Sequence, residues 1–187
     1  MISETTELKL VIPSDGAMYE STLEFMEKVG LSVTRESKRR YIAHIPNLSG
    51  VTVLLLRSAD ITATIEDGSA DVGLLGEDRY LELRQENLPT TIILGDLKYG
   101  DCSLALGIPN SWSDVSSIAD VAEVAVEFRE RGLSMRVATK SPRLTERYLL
   151  SHGINYFSLV RLSGTLKLAP EMGFADIIAD ITSTGTT

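Results

Sequence analysis

A single cysteine, Cys102, is all this chain of 187 residues carries, so neither an intrachain disulfide nor a multi-cysteine metal site can be built. Positive charge is also scarce. With 18 Lys and Arg against 26 Asp and Glu the formal net charge is −8, which argues against a nucleic-acid surface, because affinity for DNA or RNA comes mainly from cations that neutralise phosphates. A nucleotide needs only a few local cations and stays open. Long apolar runs are missing, which excludes a membrane-spanning helix, and residues 1–7 are polar and acidic rather than an export signal. A cytosolic location with no membrane partner is therefore expected. What the chain does have is 43% hydrophobic residues, enough for a real core in one domain or two small lobes.

The pattern along the chain alternates strand and helix. Residues 8–12 (Leu-Lys-Leu-Val-Ile) read as a buried strand broken by Pro13 and the turn Ser14-Asp15-Gly16, and residues 19–29 as a helix stopped at Gly30. The basic segment Arg35, Lys38, Arg39, Arg40 stands out in an acidic protein, as a solvated charge run or a local anion site. Residues 51–56 form the next strand, ending at Arg57, where ligands collect in a parallel sheet; Ser58 or Asp60 then caps a short helix over residues 61–67. A strand over 71–75 leads into Gly76-Glu77-Asp78 and a helix over 80–86. Residues 91–94 are apolar and β-branched, 95–101 rich in turn residues, and 102–108 a strand. Between 114 and 130 helix and strand compete, and the spacing favours a helix near 115–120 with a short strand near 123–128. A strand over 135–139, a turn Lys140-Ser141-Pro142, a helix over 143–151, a strand over 155–161 and a short helix over 166–172 follow.

The end of the chain, Asp176-Ile-Ile-Ala-Asp-Ile-Thr-Ser-Thr-Gly-Thr-Thr187, has the make-up of a phosphate cradle. Strand-forming Ile177, Ile178 and Ala179 deliver Asp180, able to accept from ribose hydroxyls, at the strand's carboxyl end. Thr182, Ser183, Thr184, Thr186 and Thr187 then offer hydroxyls around Gly185, whose backbone can bring successive N–H groups to an anion.

An internal echo suggests two α/β units. Glu66-Asp67-Gly68-Ser69-Ala70-Asp71-Val72 and Glu171-Met172-Gly173-Phe174-Ala175-Asp176-Ile177 share Glu-x-Gly-x-Ala-Asp-apolar at a constant offset of 105 positions (171 against 66). The strand, turn, helix and glycine of residues 8–30 have a looser counterpart in 135–153. Two lobes follow as an expectation: residues 1–98 the first, 99–180 the second, with a hinge near 98–101. Loops carrying Arg39, Arg40, Arg57, Asp78 and Lys140 would line a cleft able to hold phosphates despite the net charge.

These motifs, in this order, resemble the catalytic subunit of ATP phosphoribosyltransferase, the first enzyme of histidine biosynthesis. The resemblance runs from Leu8 to Thr187. It is carried by Leu55-Leu56-Arg57-Ser58-Ala59-Asp60-Ile61, by residues 68–78 (Gly-Ser-Ala-Asp-Val-Gly-Leu-Leu-Gly-Glu-Asp), by Tyr99-Gly100-Asp101-Cys102-Ser103-Leu104, by Val137-Ala138-Thr139-Lys140-Ser141-Pro142 with Leu144-Thr145 and Arg147-Tyr148, by Leu162-Ser163-Gly164 and by residues 176–187. It implies a two-lobed α/β fold like that of periplasmic binding proteins with a central cleft, the chain returning to the first lobe after about residue 181. It implies that Asp180, Thr182, Ser183, Thr184, Gly185, Thr186 and Thr187 hold the ribose 5-phosphate of phosphoribosyl pyrophosphate. ATP falls to Ser14, Asp15, Gly16, Asp78, Thr139 and Lys140, and catalysis to Arg57 and Arg39. Mg²⁺ rides on the substrate phosphates, with no protein ligand assigned.

The chain departs from the family pattern in carrying Ile12-Pro13-Ser14-Asp15-Gly16-Ala17 where the family has Leu-Pro-Lys-Gly-Arg, so two cations are missing there. It also ends within the phosphate loop. With no room for the long form's regulatory domain, the short form is implied, an oligomer working with a separate regulatory subunit resembling histidyl-tRNA synthetase. The rival reading is a non-catalytic two-lobed anion- or nucleotide-binding protein, or a degenerate copy of the enzyme. A purine-salvage type of transferase fits less well, because two adjacent acids ahead of the Thr-Gly loop are absent.

Overall fold

The computed structural model describes residues 7–37, 39–164 and 166–183. The chain divides into two compact units, Met1–Gly100 and Asp101–Thr187.

The first unit is built on β1 (Leu8–Pro13), which pairs in parallel with β3 (Val51–Leu56) on one side and β4 (Val72–Gly73) on the other. A short antiparallel β2 (Ile42–His44) adds outside β3, giving the order β2-β3-β1-β4. Helix α1 (Ala17–Lys28) follows β1, α2 (Ser58–Glu66) follows β3 and α3 (Glu77–Leu83) follows β4. Both faces of the sheet are covered, so β1 and β3 are mainly apolar, with Lys9 and Thr52 near their N-terminal ends. Leu10, Ile12, Val53 and Leu55 pack with Met26 of α1, while Val11 points to the other face against Ile61 of α2 and Ala70.

The second unit has the order β5-β8-β6-β7. Here β6 (Met135–Thr139) lies parallel to both β7 (Phe157–Arg161) and β8 (Ile177–Ser183), and β5 (Cys102–Gly107) pairs antiparallel with β8. Helices α4 (Ile118–Glu130) and α5 (Pro142–Ser151) and a 3₁₀ turn at Leu166–Leu168 complete it. Val137, Ile177 and Ala179 pack with Val121, Ala125 and Leu149, and Ala138 faces Leu166, Ala169 and Ala175.

The sequence echo is a structural one. Gly68 and Gly173 both adopt left-handed φ, 76° and 72°, and Ala70 and Ala175 are both buried. The N–H of Ala70 donates to the carbonyl of Thr64 and that of Ala175 to Ala169, again 105 positions on (169 against 64). Asp71 then exchanges bonds with Lys9 of β1, its N–H to the Lys9 carbonyl and the Lys9 N–H to its carboxylate; Asp176 does the same with Arg136 of β6. The looser counterpart holds as well. Gly30 and Gly153 close α1 and α5 with the same pair of bonds, from Gly30 to Glu27 and Leu31 to Met26, and from Gly153 to Leu150 and Ile154 to Leu149.

Several elements differ from the sequence expectation. The helix-then-strand reading of residues 115–128 is wrong: one helix, α4, spans Ile118–Glu130. Ser117 caps it by accepting from the Asp120 N–H while the Asp120 carboxylate accepts from Ser116 and Ser117, and this reciprocal box starts the helix before the valines can extend. Val121, Val124, Ala125 and Phe128 then fall on the core face. Ser117→Ala is expected to cost about 1 kcal/mol in urea titrations. The Ser116 N–H, then the Ser117 hydroxyl and N–H, hold the Asp120 carboxyl below its ordinary value. Its contribution to stability is therefore complete above the unfolded-state pKa and lost as pH falls through the lower folded one.

β2 was not foreseen, α3 begins three residues before the expected position 80, and residues 155–156 precede β7 rather than belong to it. Residues 91–94 form no strand. Ile93 and Leu94 are each 73% exposed, and strand propensity expresses itself only where side chains pack on a sheet. The helix expected over 166–172 shrinks to the 3₁₀ turn, with Pro170 directly behind it. No helix among the described residues is long and apolar enough to cross a membrane.

Candidate active site

In the first unit the parallel strands β1, β3 and β4 all end at one edge, and the segments that leave them carry most of the candidate residues. Ser14, Asp15 and Gly16 join β1 to α1, with the Ser14 N–H donating to the Leu56 carbonyl and Gly16 at φ 77° as the N-cap. Arg57 leaves β3 as the N-cap of α2; the expectation that Ser58 or Asp60 caps this helix is wrong, since the helix already starts at Ser58 and no side chain caps it. Arg57 and Asp60 are exposed, and neither forms a salt bridge among the described residues.

The antiparallel β2 brings the basic segment to the same edge. Its register sets Ile42 opposite Leu54, and the Leu55 N–H donates to the Tyr41 carbonyl. Counting back along the chain carries Arg40 and Arg39 to the end of β3 from which Arg57 emerges. Arg40 is drawn into an exposed pair with Glu36 at 3.2 Å, and Arg39 is exposed.

Asp78 folds back over Gly76. A Cβ at Gly76 would lie 2.3 Å from the Asp78 carboxylate oxygen, so a larger residue there would turn the carboxylate aside. A groove lined by Ser14, Asp15, Tyr19, Glu20, Arg35 and Tyr41 opens beside the β1–α1 turn. Tyr19 and Tyr41 were not singled out from the sequence. An aromatic residue directly after a basic run, Arg39-Arg40-Tyr41, is the available signal. Arg35 lines the same groove as Asp15, which sets a cation of the basic segment beside the turn that departs from the family pattern.

In the second unit β6, β7 and β8 share a carboxyl edge. Thr139, at the end of β6, is fully buried: its hydroxyl accepts from the Ser141 N–H at 3.0 Å and lies 2.9 Å from the Thr145 hydroxyl. Its side chain is thus committed to the fold. Lys140, the next residue, is exposed, and its ammonium stands 3.9 Å from the Asp180 carboxylate on β8. With side chains 44% and 33% exposed, that pair contributes about 0–1 kcal/mol to stability. Its consequence is the juxtaposition of a cation and an acceptor beside the N-terminus of α5.

Asp180 does not end its strand. β8 continues through Ser183, with Asp180 opposite Ala105, Thr182 opposite Ser103 and Ser183 opposite Cys102. The loop expected to open at Asp180 therefore does not begin there, because the apolar run alone does not mark the strand's end. The antiparallel partner β5 carries the ladder on, helped by the Thr182 hydroxyl, 3.2 Å from that of Ser103. Thr184, Gly185, Thr186 and Thr187 lie outside the described residues.

Both edges belong to α/β sheets whose parallel strands deliver polar and charged residues to helix N-termini, the arrangement of proteins that bind phosphorylated small molecules. Comparison with known proteins is more specific. Residues 57–187 match the family HisG, ATP phosphoribosyltransferase. The chain is 36% identical over 183 residues to the ATP phosphoribosyltransferase of Mesorhizobium japonicum, covering 96% of this chain and 79% of that one. It is 37% identical over 181 residues to that of Chelativorans sp., covering 95% and 79%. Among solved structures, the ATP phosphoribosyl transferase (HisG:HisZ) complex from Thermotoga maritima superposes with a TM-score of 0.59 at 28% identity, over 95% of this chain and 75% of that one. The chain belongs to the ATP phosphoribosyltransferase family, and its α/β architecture of two mixed sheets flanked by helices agrees with that structure.

Proposed function

We propose that the chain transfers the 5-phosphoribosyl group of phosphoribosyl pyrophosphate to N1 of ATP, the first step of histidine biosynthesis. Family membership over nearly the whole chain carries this reading. N1 of the adenine attacks C1 of the ribose, the C1–O bond to pyrophosphate breaks, and pyrophosphate leaves with the electron pair. No covalent enzyme intermediate is needed. The chain's part is to align two substrates and to stabilise the charge that develops on the leaving group.

We assign the phosphoribosyl end to Asp180, Thr182 and Ser183, continuing into Thr184, Gly185, Thr186 and Thr187. Lys140 stands beside Asp180, so we move it from the ATP set to this one. Ser14, Asp15, Gly16 and Asp78 remain the ATP set. Of Thr139 only the backbone stays open to a ligand, as its hydroxyl is buried and bonded to Ser141 and Thr145. To Arg57 and Arg39 we assign the leaving pyrophosphate, for which a planar fork of donors is suited.

Mg²⁺ would neutralise charge on the substrate phosphates. Such a metal keeps several waters and is held largely by the substrate's own phosphates, so no protein cage is required. No group of three or more His, Cys, Asp or Glu converges among the described residues. The solved relative is a HisG:HisZ complex, and by that likeness we propose that this chain too works in an oligomer with a regulatory subunit resembling histidyl-tRNA synthetase.

Incubation with ATP, phosphoribosyl pyrophosphate and Mg²⁺ should give the N1 adduct, followed by its ultraviolet absorbance. Binding of both ligands without adduct would return the chain to the anion-binding reading. Asp180→Asn should raise KM for phosphoribosyl pyrophosphate about tenfold, from a lost charge-assisted bond of about 1.5 kcal/mol, and leave that for ATP near its original value.

A further inference from the structure

We infer that Thr145, a buried residue on α5, positions Lys140 for the phosphoribosyl end of the reaction; this rests on the assignment of Lys140 and Asp180 proposed above. The residue following β6 is held from both sides. Ahead of Lys140, the Thr139 hydroxyl is locked against Thr145 at 2.9 Å; behind it, the Ser141 N–H donates back to the Thr139 hydroxyl at 3.0 Å, and the Ser141 carbonyl accepts from the Thr145 N–H at 3.0 Å. Thr139 and Thr145 are wholly buried and Ser141 is 6% exposed, so no water competes for these bonds.

Lys140 is thus the one exposed residue of a clamped turn, and its long side chain starts from a fixed backbone. That matters because the Lys140 ammonium and the Asp180 carboxylate are 3.9 Å apart, too far for a hydrogen bond to hold the lysine in place. The backbone must set its aim. The counterpart turn after β1 lacks the device: its residues are Ser14, Asp15 and Gly16, and Gly16 caps α1 with no side-chain bond. A pair of buried threonines is a costly way to end a strand if packing alone is required, since Val at both positions fills the same volume.

Thr145→Val keeps that volume and removes the hydroxyl, which frees Thr139 to turn and leaves the Ser141 N–H without a fixed acceptor. On the full-length chain, KM for phosphoribosyl pyrophosphate is expected to rise about fivefold or more, with KM for ATP within about twofold. Thr145→Ser should restore it. In a Lys140→Ala background Thr145→Val should add nothing further, because its effect passes through the lysine. Thr145→Cys, similar in shape but a poor hydrogen-bond partner, should show the same split and decides the question if the valine variant does not fold. Unchanged KM for both substrates, or equal losses for both with a lowered Tm, would overturn the positioning role. If the wild type forms no adduct the proposed function fails instead, and calorimetric titration of phosphoribosyl pyrophosphate against the same variants still tests Thr145.

Discussion

Replacing Arg57 with alanine should lower kcat/KM about a hundredfold or more while leaving Tm nearly unchanged. The structure separates the two effects. Arg57 holds its place through its backbone: φ −64°, ψ 141° is the extended geometry of an N-cap, and its carbonyl accepts the Asp60 N–H, both of which alanine retains. The guanidinium makes no side-chain cap bond and no ion pair with Asp60, so its removal exposes nothing and leaves no buried charge alone. Such exposed substitutions usually change stability by less than about 0.5 kcal/mol. Loss of a donor to a departing pyrophosphate costs about 3 kcal/mol of transition-state stabilisation, which is a factor above a hundred. Arg57→Lys should recover only part, since an ammonium lacks the fork. Steady-state kinetics and a melting curve on the same preparation decide; wild-type kinetics would remove Arg57 from the site, and a falling Tm would make it structural.

Where the sequence was legible, local chemistry and tertiary burial agreed. β1, β3 and β6 are mainly apolar because side chains on both of their faces are packed, and Gly30 and Gly153 stop helices because both turn with positive φ. The Glu-x-Gly-x-Ala-Asp echo was readable since each letter has a separate physical reason: a left-handed glycine, a buried alanine and an aspartate that ties one strand to the start of another. Where propensity had to compete with context it failed. Val124, Val126 and Phe128 suggest a strand, yet the Ser117–Asp120 box sets a helix going first. Residues 91–94 have the composition of a strand yet pair with no other among the described residues, and the three residues of β2 are too few to leave a pattern.

The site was legible in its residue types and less so in its geometry. Arg57 and Lys140 stand out as charged residues directly after β3 and β6, and Asp180 as an acid directly after the apolar run Ile177-Ile178-Ala179 inside β8. Their groupings do not, since a contact across 40 positions, like that of Lys140 with Asp180, depends on which strands are neighbours. Nor does the burial of Thr139: a hydroxyl next to a lysine in a turn reads as a ligand, and only the proximity of Thr145 reveals it as a brace.

The largest loss of stability is expected from Asp176→Ala, and its counterpart in the first unit supplies the control. Asp176 and Asp71 occupy equivalent positions, each exchanging backbone bonds with the second residue of a central strand. Beyond that they differ. Asp176, with its side chain 16% exposed, also takes the Arg136 guanidinium through Nε at 3.2 Å and Nη2 at 2.9 Å, while Arg136 Nη1 donates to the Gly173 carbonyl at 2.7 Å. The carboxylate in turn raises the arginine's pKa, mainly through its hydrogen bonds. Truncation therefore takes the acceptor from a strand N–H and from two arms of an arginine at once, and about 2–4 kcal/mol is the expected cost. Asp71 is exposed and its carboxylate holds the Lys9 N–H, so Asp71→Ala should cost about 1 kcal/mol. Asp176→Asn, which can still accept from the strand N–H but has no charge for the guanidinium, should fall between the two. Because the chain has two units, hydrogen exchange is the suitable readout: Asp176→Ala should speed exchange in β6 and β8 and leave β1 and β3 protected. Equal losses from the two alanine variants would mean that the Arg136 fork adds nothing and that the backbone exchange alone holds each strand in register.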